Sequence, residues 1–146
     1  MTPLKKILLA EDDPKDVELT LAALAQLNLA NEVHVCHDGV EVLEYLLETR
    51  LERGSPAVVL LDIKMPKLDG LQVLQRIRKE ESLRGLPIVM LTSSREERDL
   101  VEGYRLGANA YVVKPVVFEE FVSTVTHMGL FWAVINEPPP MGGRPA

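Results

Sequence analysis

Five short apolar runs separated by amphipathic stretches constrain the fold of this 146-residue chain more than any other feature of its sequence. Most of the runs are continuously apolar, which is typical of parallel strands buried on both faces of a sheet. Buried helices are the alternative, but each run is too short for a helix and is bounded by turn-forming or charged residues. The runs comprise residues 7–10, 33–36, 58–61, 88–91 and 111–113.

Helix start signals lie between the apolar runs. Asp13 is a predicted N-cap, because it precedes a proline at the first helical position. The apolar residues Val17, Leu21 and Leu24 then follow at helical spacing. Further helix starts are predicted at residues 38–41, 69–72 and 94–97, the first and last of them as capping boxes.

The remaining boundaries are predicted from single residues and short segments. Gly107 is a predicted C-terminal stop of the fourth helix. The last helix is expected to run from about Phe118 to about Ile135. The charged segment 48–56, before the third strand, is interpreted as a surface loop.

The order of these elements is (βα)₅. It predicts an α/β fold in which a doubly wound, five-stranded parallel sheet carries helices on both faces. The chain has the length of one domain. We assign residues 1–135 to that domain, including an extended last helix, and residues 136–146 to a Pro- and Gly-rich tail that has almost nothing to bury.

Charge and composition argue against several classes of function. The formal net charge of −6 disfavours nucleic acid as the main partner, since a basic face would be needed to neutralise phosphates. Cys36 is the single cysteine, so no disulfide can form within the chain, which fits a cytoplasmic protein. The sequence has neither a signal-peptide layout nor an apolar run approaching the roughly 20 residues of a membrane span, so no membrane association is expected.

Polar residues follow the apolar runs at the strand ends where doubly wound sheets bind ligands. Glu11 and Asp12 follow the first run, and Asp62 follows the third. Thr92 and Lys114 follow the fourth and fifth runs. Carboxylates brought this close together repel one another, and Mg²⁺, which prefers carboxylate and phosphate oxygens, is the natural compensation.

These residue types are the components of a phosphoryl-transfer site. Lys114 supplies a compact positive charge suited to a phosphate, and a carboxylate can act as the nucleophile and form an aspartyl phosphate. Each signal is weak alone: acids at a helix start are favoured by the helix dipole, Asp62 fits a cap, and a single lysine is usually solvated. Their occurrence together at one sheet edge predicts a shared site, where catalysis is mostly positioning and charge neutralisation.

Six segments of the chain together resemble the receiver domain of two-component response regulators. The resemblance extends over about residues 5–127 and implies a flavodoxin-like receiver fold with strand order 2-1-3-4-5. It also implies a signalling protein phosphorylated by a sensor histidine kinase, rather than an enzyme with its own substrate. The segments are residues 7–14, 61–66, 68–70, 91–93, 107–108 and 111–115.

The resemblance implies a metal site beside the phosphoacceptor. Asp62 is the implied phosphoacceptor, Asp12 the direct metal ligand, and Glu11 the acid that binds the metal through water. The implied metal is Mg²⁺, with Mn²⁺ as the alternative, and the backbone carbonyl of Lys64 completes its protein ligands. Glu11 stands where Asp is commoner, and Lys64 lies at a position that tunes the lifetime of the aspartyl phosphate, so that lifetime is not predicted.

The resemblance also implies the residues that respond to phosphorylation. The hydroxyl of Thr92 turns toward the phosphoryl group, and Lys114 contacts it. The bond between Lys114 and Pro115 is expected to be cis. Tyr111 is the implied aromatic residue that changes rotamer on activation, and the alternative for it is a tyrosine that only packs on a helix at the edge of the sheet.

A narrower resemblance concerns the end of the chain. Phe131-Trp132 and residues 136–138 are similar to single-domain regulators that are paired with bacterial phytochrome kinases. The long connection before the third strand and the absence of a predicted DNA-binding output domain point the same way. A phytochrome-type kinase is therefore the expected partner.

An apolar stripe in the last predicted helix suggests a symmetric homodimer, with the region 96–135 contributing. The stripe has heptad-like spacing, and its first part, up to Val125, is interpreted as packing on the sheet. The end of the helix extends beyond the sheet and would be costly to expose. The predicted interface residues are Phe118, Phe121, Val125, Met128, Phe131, Trp132 and Ile135.

Other functions fit the sequence less well. A receiver-like interaction module without phosphorylation is disfavoured by the complete set of acid, hydroxyl and lysine. A phosphohydrolase with an Asp nucleophile would show an Asp-x-Asp pattern, which residues 11–14 do not match. A flavin or nucleotide binder would carry a Gly-rich or Ser/Thr-rich loop there instead of three acids. Metal binding by His34, Cys36 and His37 is disfavoured, because strand residues of this kind are usually packed.

Overall fold

The structure, a computed structural model, describes residues 6–26, 32–52, 56–93 and 105–129, and only the backbone of residues 49–52. Five parallel strands form one sheet in the order β2-β1-β3-β4-β5, which confirms the order expected from the resemblance. The strands are β1 (Ile7–Ala10), β2 (Val33–Cys36), β3 (Val58–Asp62), β4 (Ile88–Thr92) and β5 (Ala110–Val113).

The continuously apolar runs form the interior strands of the sheet. Every residue of β1, β3 and β4 is buried, whereas β2 and β5 at the two edges are partly exposed. Buried interior strands require cover on both faces, which the helices supply. The sequence pattern therefore gave both the strand class and the layering correctly.

The helices begin at the capping residues that the sequence indicates. The Asp13 carboxylate accepts a hydrogen bond from the backbone N–H of Lys15 at 2.9 Å, and Asp69 and Gln72 form a reciprocal capping box. No helix in the described part of the chain is both long and apolar enough to cross a membrane. The helices are α1 (Pro14–Ala25), α2 (Gly39–Glu52), α3 (Gly70–Lys79) and a last helix (Phe118–His127), with a 3₁₀ turn at Glu81–Leu83.

The fourth predicted helix is described only at its end. The predicted capping box at 94–97 lies outside the described residues. Arg105 and Leu106 are helical, and Gly107 follows with φ of 99°, so the predicted glycine stop is confirmed.

The second helix is longer than the sequence interpretation allowed. Helix α2 continues to Glu52, so the interpretation of 48–56 as a surface loop is wrong for the first part of that segment. Residues 48–52 include good helix formers, and the first helix-breaking residue after them is Gly54.

The last helix is shorter than predicted. It ends at His127 rather than near Ile135. Met128 caps it, and Gly129 adopts φ of 75°, a left-handed conformation that carries no Cβ penalty in glycine. Residues 130–135 lie outside the described residues.

Two apolar cores lie on opposite faces of the sheet. The first core packs the sheet against α1 and the last helix, with Leu24 and Phe121 among its members. The second core packs the sheet against α2 and α3, with Leu46 and Ile77 among its members. This arrangement is the doubly wound one that the order of elements predicts.

The first core also corrects part of the predicted dimer interface. Phe121 and Val125 are only 1% and 0% exposed, which confirms that this part of the stripe packs on the sheet and removes both residues from the predicted interface. Phe118 and Met128 are partly buried against the same core. Outside the described residues lie the other predicted interface residues, Phe131, Trp132 and Ile135.

Candidate functional site

The strand register brings the ends of three neighbouring strands to one edge of the sheet. Ala10 of β1 pairs with Leu61 of β3, so Glu11 and Asp62 follow at the same level. Thr92 ends β4, the next strand. Parallel pairing alone therefore places acidic and hydroxyl side chains from separate parts of the sequence beside one another.

Three carboxylates meet at this edge. One oxygen atom each of Glu11, Asp12 and Asp62 lies within 4.8 Å of the others. Glu11 is fully buried and Asp62 is 4% exposed, whereas Asp12 is exposed. Glu11 Oε2 accepts a hydrogen bond from the backbone N–H of Asp13, the N-cap of α1, at 3.2 Å. This bond helps to orient the Glu11 carboxylate.

Lys114 brings positive charge to the carboxylates. Its Nζ lies 3.1 Å from Glu11 Oε1, 3.1 Å from Asp62 Oδ1 and 3.0 Å from Asp16 Oδ2. Its backbone N–H donates to the carbonyl oxygen of Thr92 at 2.7 Å, so pairing with β4 fixes the base of the side chain. The three ammonium protons are matched by three carboxylate acceptors. The expected cis bond between Lys114 and Pro115 is confirmed.

Burial and mutual repulsion change the protonation of these groups. Burial, and then the charge of Asp62, raises the pKa of Glu11 to about 7. Burial also raises the pKa of Asp62. Burial alone would lower the pKa of Lys114, but its hydrogen bond with Asp16 and the charge of Asp62 hold that pKa above its usual value. Burial and the neighbouring acids therefore make the ionised forms of these carboxyl groups costly, a cost that a bound cation lowers.

The donor atoms of the site suit a hard divalent cation. A cavity of about 290 Å³ lies in front of the carboxylates, and Lys64 and Ser93 also line it. The carboxylates supply oxygen ligands, the type that Mg²⁺ and Mn²⁺ prefer. The acidic cluster of Glu11, Asp12 and Asp62 therefore fits a divalent-cation site.

Gly70 allows α3 to begin directly against the end of β3. Its N–H donates to the carbonyl oxygen of Ile63 at 2.7 Å. A Cβ at this position would overlap the carbonyl oxygen of Asp62, so only glycine fits without a shift of the backbone. Helix α3 thereby holds the backbone of Asp62 in place.

Two of the predicted site residues, Thr92 and Tyr111, do not line the cavity. Thr92 is 1% exposed at the end of β4, and its neighbour Ser93 lines the cavity instead. Tyr111 is half-buried in β5, pairs with Met90 and packs against the second core. It lines a separate cavity of about 400 Å³ together with His127. The structure therefore gathers the acids, Lys64 and Lys114, and leaves Tyr111 outside that group.

Asp16 is a site residue that the sequence analysis did not identify. It lies in the first turn of α1, lines the cavity and contacts Lys114. The available signal was its spacing of one turn from Asp13, which places both acids near the same end of α1.

Comparison with known families identifies the fold. Residues 7–126 match the response regulator receiver domain family. The chain belongs to this family. The sequence-based resemblance to response regulator receivers is thus confirmed, and so is the flavodoxin-like receiver fold.

This receiver is similar to several phytochrome response regulators. It is 56% identical to the bacteriophytochrome response regulator AtBRR, with a TM-score of 0.82 and coverage of 92% of this chain and 99% of that chain. It is 34% identical to the phosphorylated cyanobacterial phytochrome response regulator RcpA, with a TM-score of 0.72 and coverage of 88% and 94%.

A third relative has been solved with a metal. Response regulator Rcp1 of Synechocystis sp. is 32% identical to this chain, with 89% of this chain and 90% of Rcp1 covered. The Mn²⁺-bound form of Rcp1 has a TM-score of 0.68 at 30% identity, with 88% of this chain and 94% of that chain covered. The expected similarity to phytochrome-associated regulators is confirmed by these relatives.

Proposed function

We propose that this receiver is a phosphorylation switch in which Asp62 accepts a phosphoryl group from the phosphohistidine of a sensor histidine kinase. One observation carries the proposal. The carboxylates of Glu11, Asp12 and Asp62 lie within 4.8 Å of one another, and the Lys114 ammonium is 3.1 Å from Asp62. An acidic cluster opposed by a lysine is suited to hold both a cation and a phosphoryl group.

The transfer exchanges one bond to phosphorus for another. An oxygen of ionised Asp62 attacks the phosphorus of phosphohistidine, the P–N bond breaks, and the imidazole nitrogen keeps the electron pair and takes up a proton. Mg²⁺ would be held by Asp12, Asp62 and the carbonyl of Lys64, and by Glu11 through water, and when bound it would supply positive charge to neutralise the phosphoryl oxygens. Lys114 then contacts a phosphoryl oxygen, since its partner Asp62 loses its negative charge when the carboxylate becomes an acyl phosphate.

The response to phosphorylation involves Thr92 and Tyr111. Thr92 is buried beside the site at the end of β4 and turns its hydroxyl toward the phosphoryl group. Tyr111, two register positions below on β5, repacks against the end of the fourth helix. The resulting change alters the affinity of this face for a partner, which is the output of the switch.

The partners follow from the relatives and from the sequence beyond the last helix. AtBRR and RcpA are phytochrome response regulators, so we infer that a phytochrome-type histidine kinase phosphorylates this receiver. We further infer a homodimer that uses the apolar segment containing Phe131, Trp132 and Ile135.

Phosphotransfer tests the acceptor, and the variant is Asp62→Asn. A phytochrome-type kinase phosphorylated with radiolabelled ATP is mixed with each receiver in Mg²⁺. Wild type is expected to take up label, whereas Asp62→Asn loses at least about 99% of it, because the amide is not a nucleophile of this kind. Chelation of Mg²⁺ should abolish labelling of the wild type as well.

The matched control is Asp69→Asn, which removes one carboxylate outside the site. Asn is as good an N-cap as Asp, so α3 is retained and labelling should equal that of wild type. Equal labelling of Asp62→Asn would contradict the acceptor assignment. A wild type that takes label from neither the kinase nor acetyl phosphate would contradict the proposed function.

A further inference from the structure

Asp16 binds the lysine of the site although it is not part of the acidic cluster. Its Oδ2 lies 3.0 Å from Lys114 Nζ, as close as the 3.1 Å contacts of Glu11 and Asp62. Asp16 comes from the first turn of α1, and its side chain is 29% exposed, compared with 0% for Glu11 and 6% for Asp62. It therefore joins Lys114 to α1 from the solvent side.

The contact with Asp16 differs in its effect from the other two. Glu11 and Asp62 are buried and already hold the ammonium against the end of the sheet. A third, more exposed carboxylate ties the ammonium to α1 as well, occupies its third proton and neutralises positive charge. Any anion that binds beside Asp62 therefore meets a lysine whose protons are all in use.

We propose that Asp16 is a positioning residue that holds Lys114 in the unphosphorylated state, so that a phosphoryl group on Asp62 must compete with the Asp16 carboxylate for the ammonium. The inference rests on the proposed function, in which Lys114 contacts the phosphoryl group. In this role Asp16 acts on the phosphoryl group through Lys114, which it contacts directly. It reduces the strength with which the site holds the phosphoryl group.

Beryllofluoride binding in saturating Mg²⁺ tests the direction of the effect, because it measures anion affinity without turnover. Asp16→Asn keeps the size of the side chain but removes its charge, and it is expected to bind beryllofluoride roughly three- to tenfold more tightly than wild type. Asp16→Glu retains a carboxylate and should bind like wild type. Asp16→Ser, which also removes the charge, should tighten binding as Asp16→Asn does.

Glu18→Gln is the control, since it removes one exposed carboxylate from the same helix and should leave the affinity unchanged. If Asp16 had only a structural role, its replacement would weaken the binding of beryllofluoride. Unchanged or weaker binding by Asp16→Asn and Asp16→Ser, at a melting temperature equal to that of wild type, would overturn the role of Asp16. Failure of the wild type itself to bind beryllofluoride would instead overturn the proposed function.

Discussion

Single residues in this receiver carry charge in places where water cannot fully screen it. Glu11 is fully buried beside Asp62, and burial raises the pKa of both carboxyl groups. Lys114 is the counter-charge in contact with both of them. Acids held this close favour a bound cation or a bound proton, so the acidic cluster fits a divalent-cation site.

In β2, an outer strand of the sheet, burial shifts a pKa in the opposite direction, because it disfavours the charged form of His34. Its ring stacks on Tyr45 at a centroid distance of 4.1 Å and an interplanar angle of 17°. Burial, and then the positive charge of Lys6, lowers the pKa of His34 below its usual 6.5. The folded chain therefore binds a proton at this residue less readily than the unfolded chain does.

The free energy of unfolding should depend on the protonation of His34. The stabilisation from the neutral ring is complete above pH 6.5 and is lost as pH falls from 6.5 through the lower pKa of the folded state. His34→Phe keeps an aromatic ring on Tyr45 and removes the titration. In urea unfolding followed between pH 7.5 and 5, the difference between wild type and His34→Phe should shift in favour of the variant at low pH. A difference that does not change with pH would contradict the prediction.

At the scale of elements, Arg78 connects four parts of the chain through hydrogen bonds of its guanidinium group. Its guanidinium donates to the carbonyl oxygens of Gly107, Arg84 and Leu86 at 2.8 to 3.1 Å, and to Asn109 Oδ1 at 3.0 Å. Asn109 Oδ1 also accepts a hydrogen bond from the N–H of the first residue of β4 at 2.8 Å. This side chain therefore connects α3, the 3₁₀ turn, β4 and the turn that leads into β5.

Arg78→Met should destabilise the fold by about 1–3 kcal/mol, because it leaves several carbonyl oxygens without their charged donor. Arg76→Met on the same helix is the control, since Arg76 is exposed, and it should change stability by less than about 0.5 kcal/mol. Urea unfolding monitored by circular dichroism measures both variants. Equal stability of the two variants would show that the connection contributes nothing to the fold.

At the scale of the whole molecule, the apolar residues of the last helix pack into the core of their own chain. Phe121 and Val125 complete the first core of their own chain. The apolar segment that contains Trp132 follows Gly129, where the helix has already ended. The proposed dimer therefore depends on that segment rather than on a continuous helical stripe.

Sedimentation should show a dimer at roughly tens of micromolar, a range suited to a modest interface. Trp132→Ala should shift the population toward monomer by about tenfold or more in dissociation constant, as expected for a buried aromatic anchor. Leu47→Ala, at a 40% exposed leucine of α2, should leave the association unchanged. A monomeric wild type at this concentration would contradict the dimer.

The sequence alone identified the interior strands and the helix starts. Continuous apolar runs identified interior strands, because such strands are buried on both faces. Asp13 and Asp69 identified helix starts, because their side chains satisfy backbone N–H groups within a few residues along the chain. The predicted ends of α2 and the last helix were wrong by a turn or more. Good helix formers extend α2 to Glu52, and the last helix ends at His127, shortly before Gly129.

What the sequence by itself determined was therefore the strand order through resemblance, the layers, and the identity of the acids and the lysine at the strand ends. Only the tertiary structure decided that Asp16 contacts Lys114, that Arg78 connects distant turns, and that the last helix ends at His127. The physical reason is the distance along the chain over which each kind of interaction acts. Caps and hydrophobic periodicity act within a few residues, whereas a contact between residues about a hundred positions apart exists only once strand pairing has fixed the register.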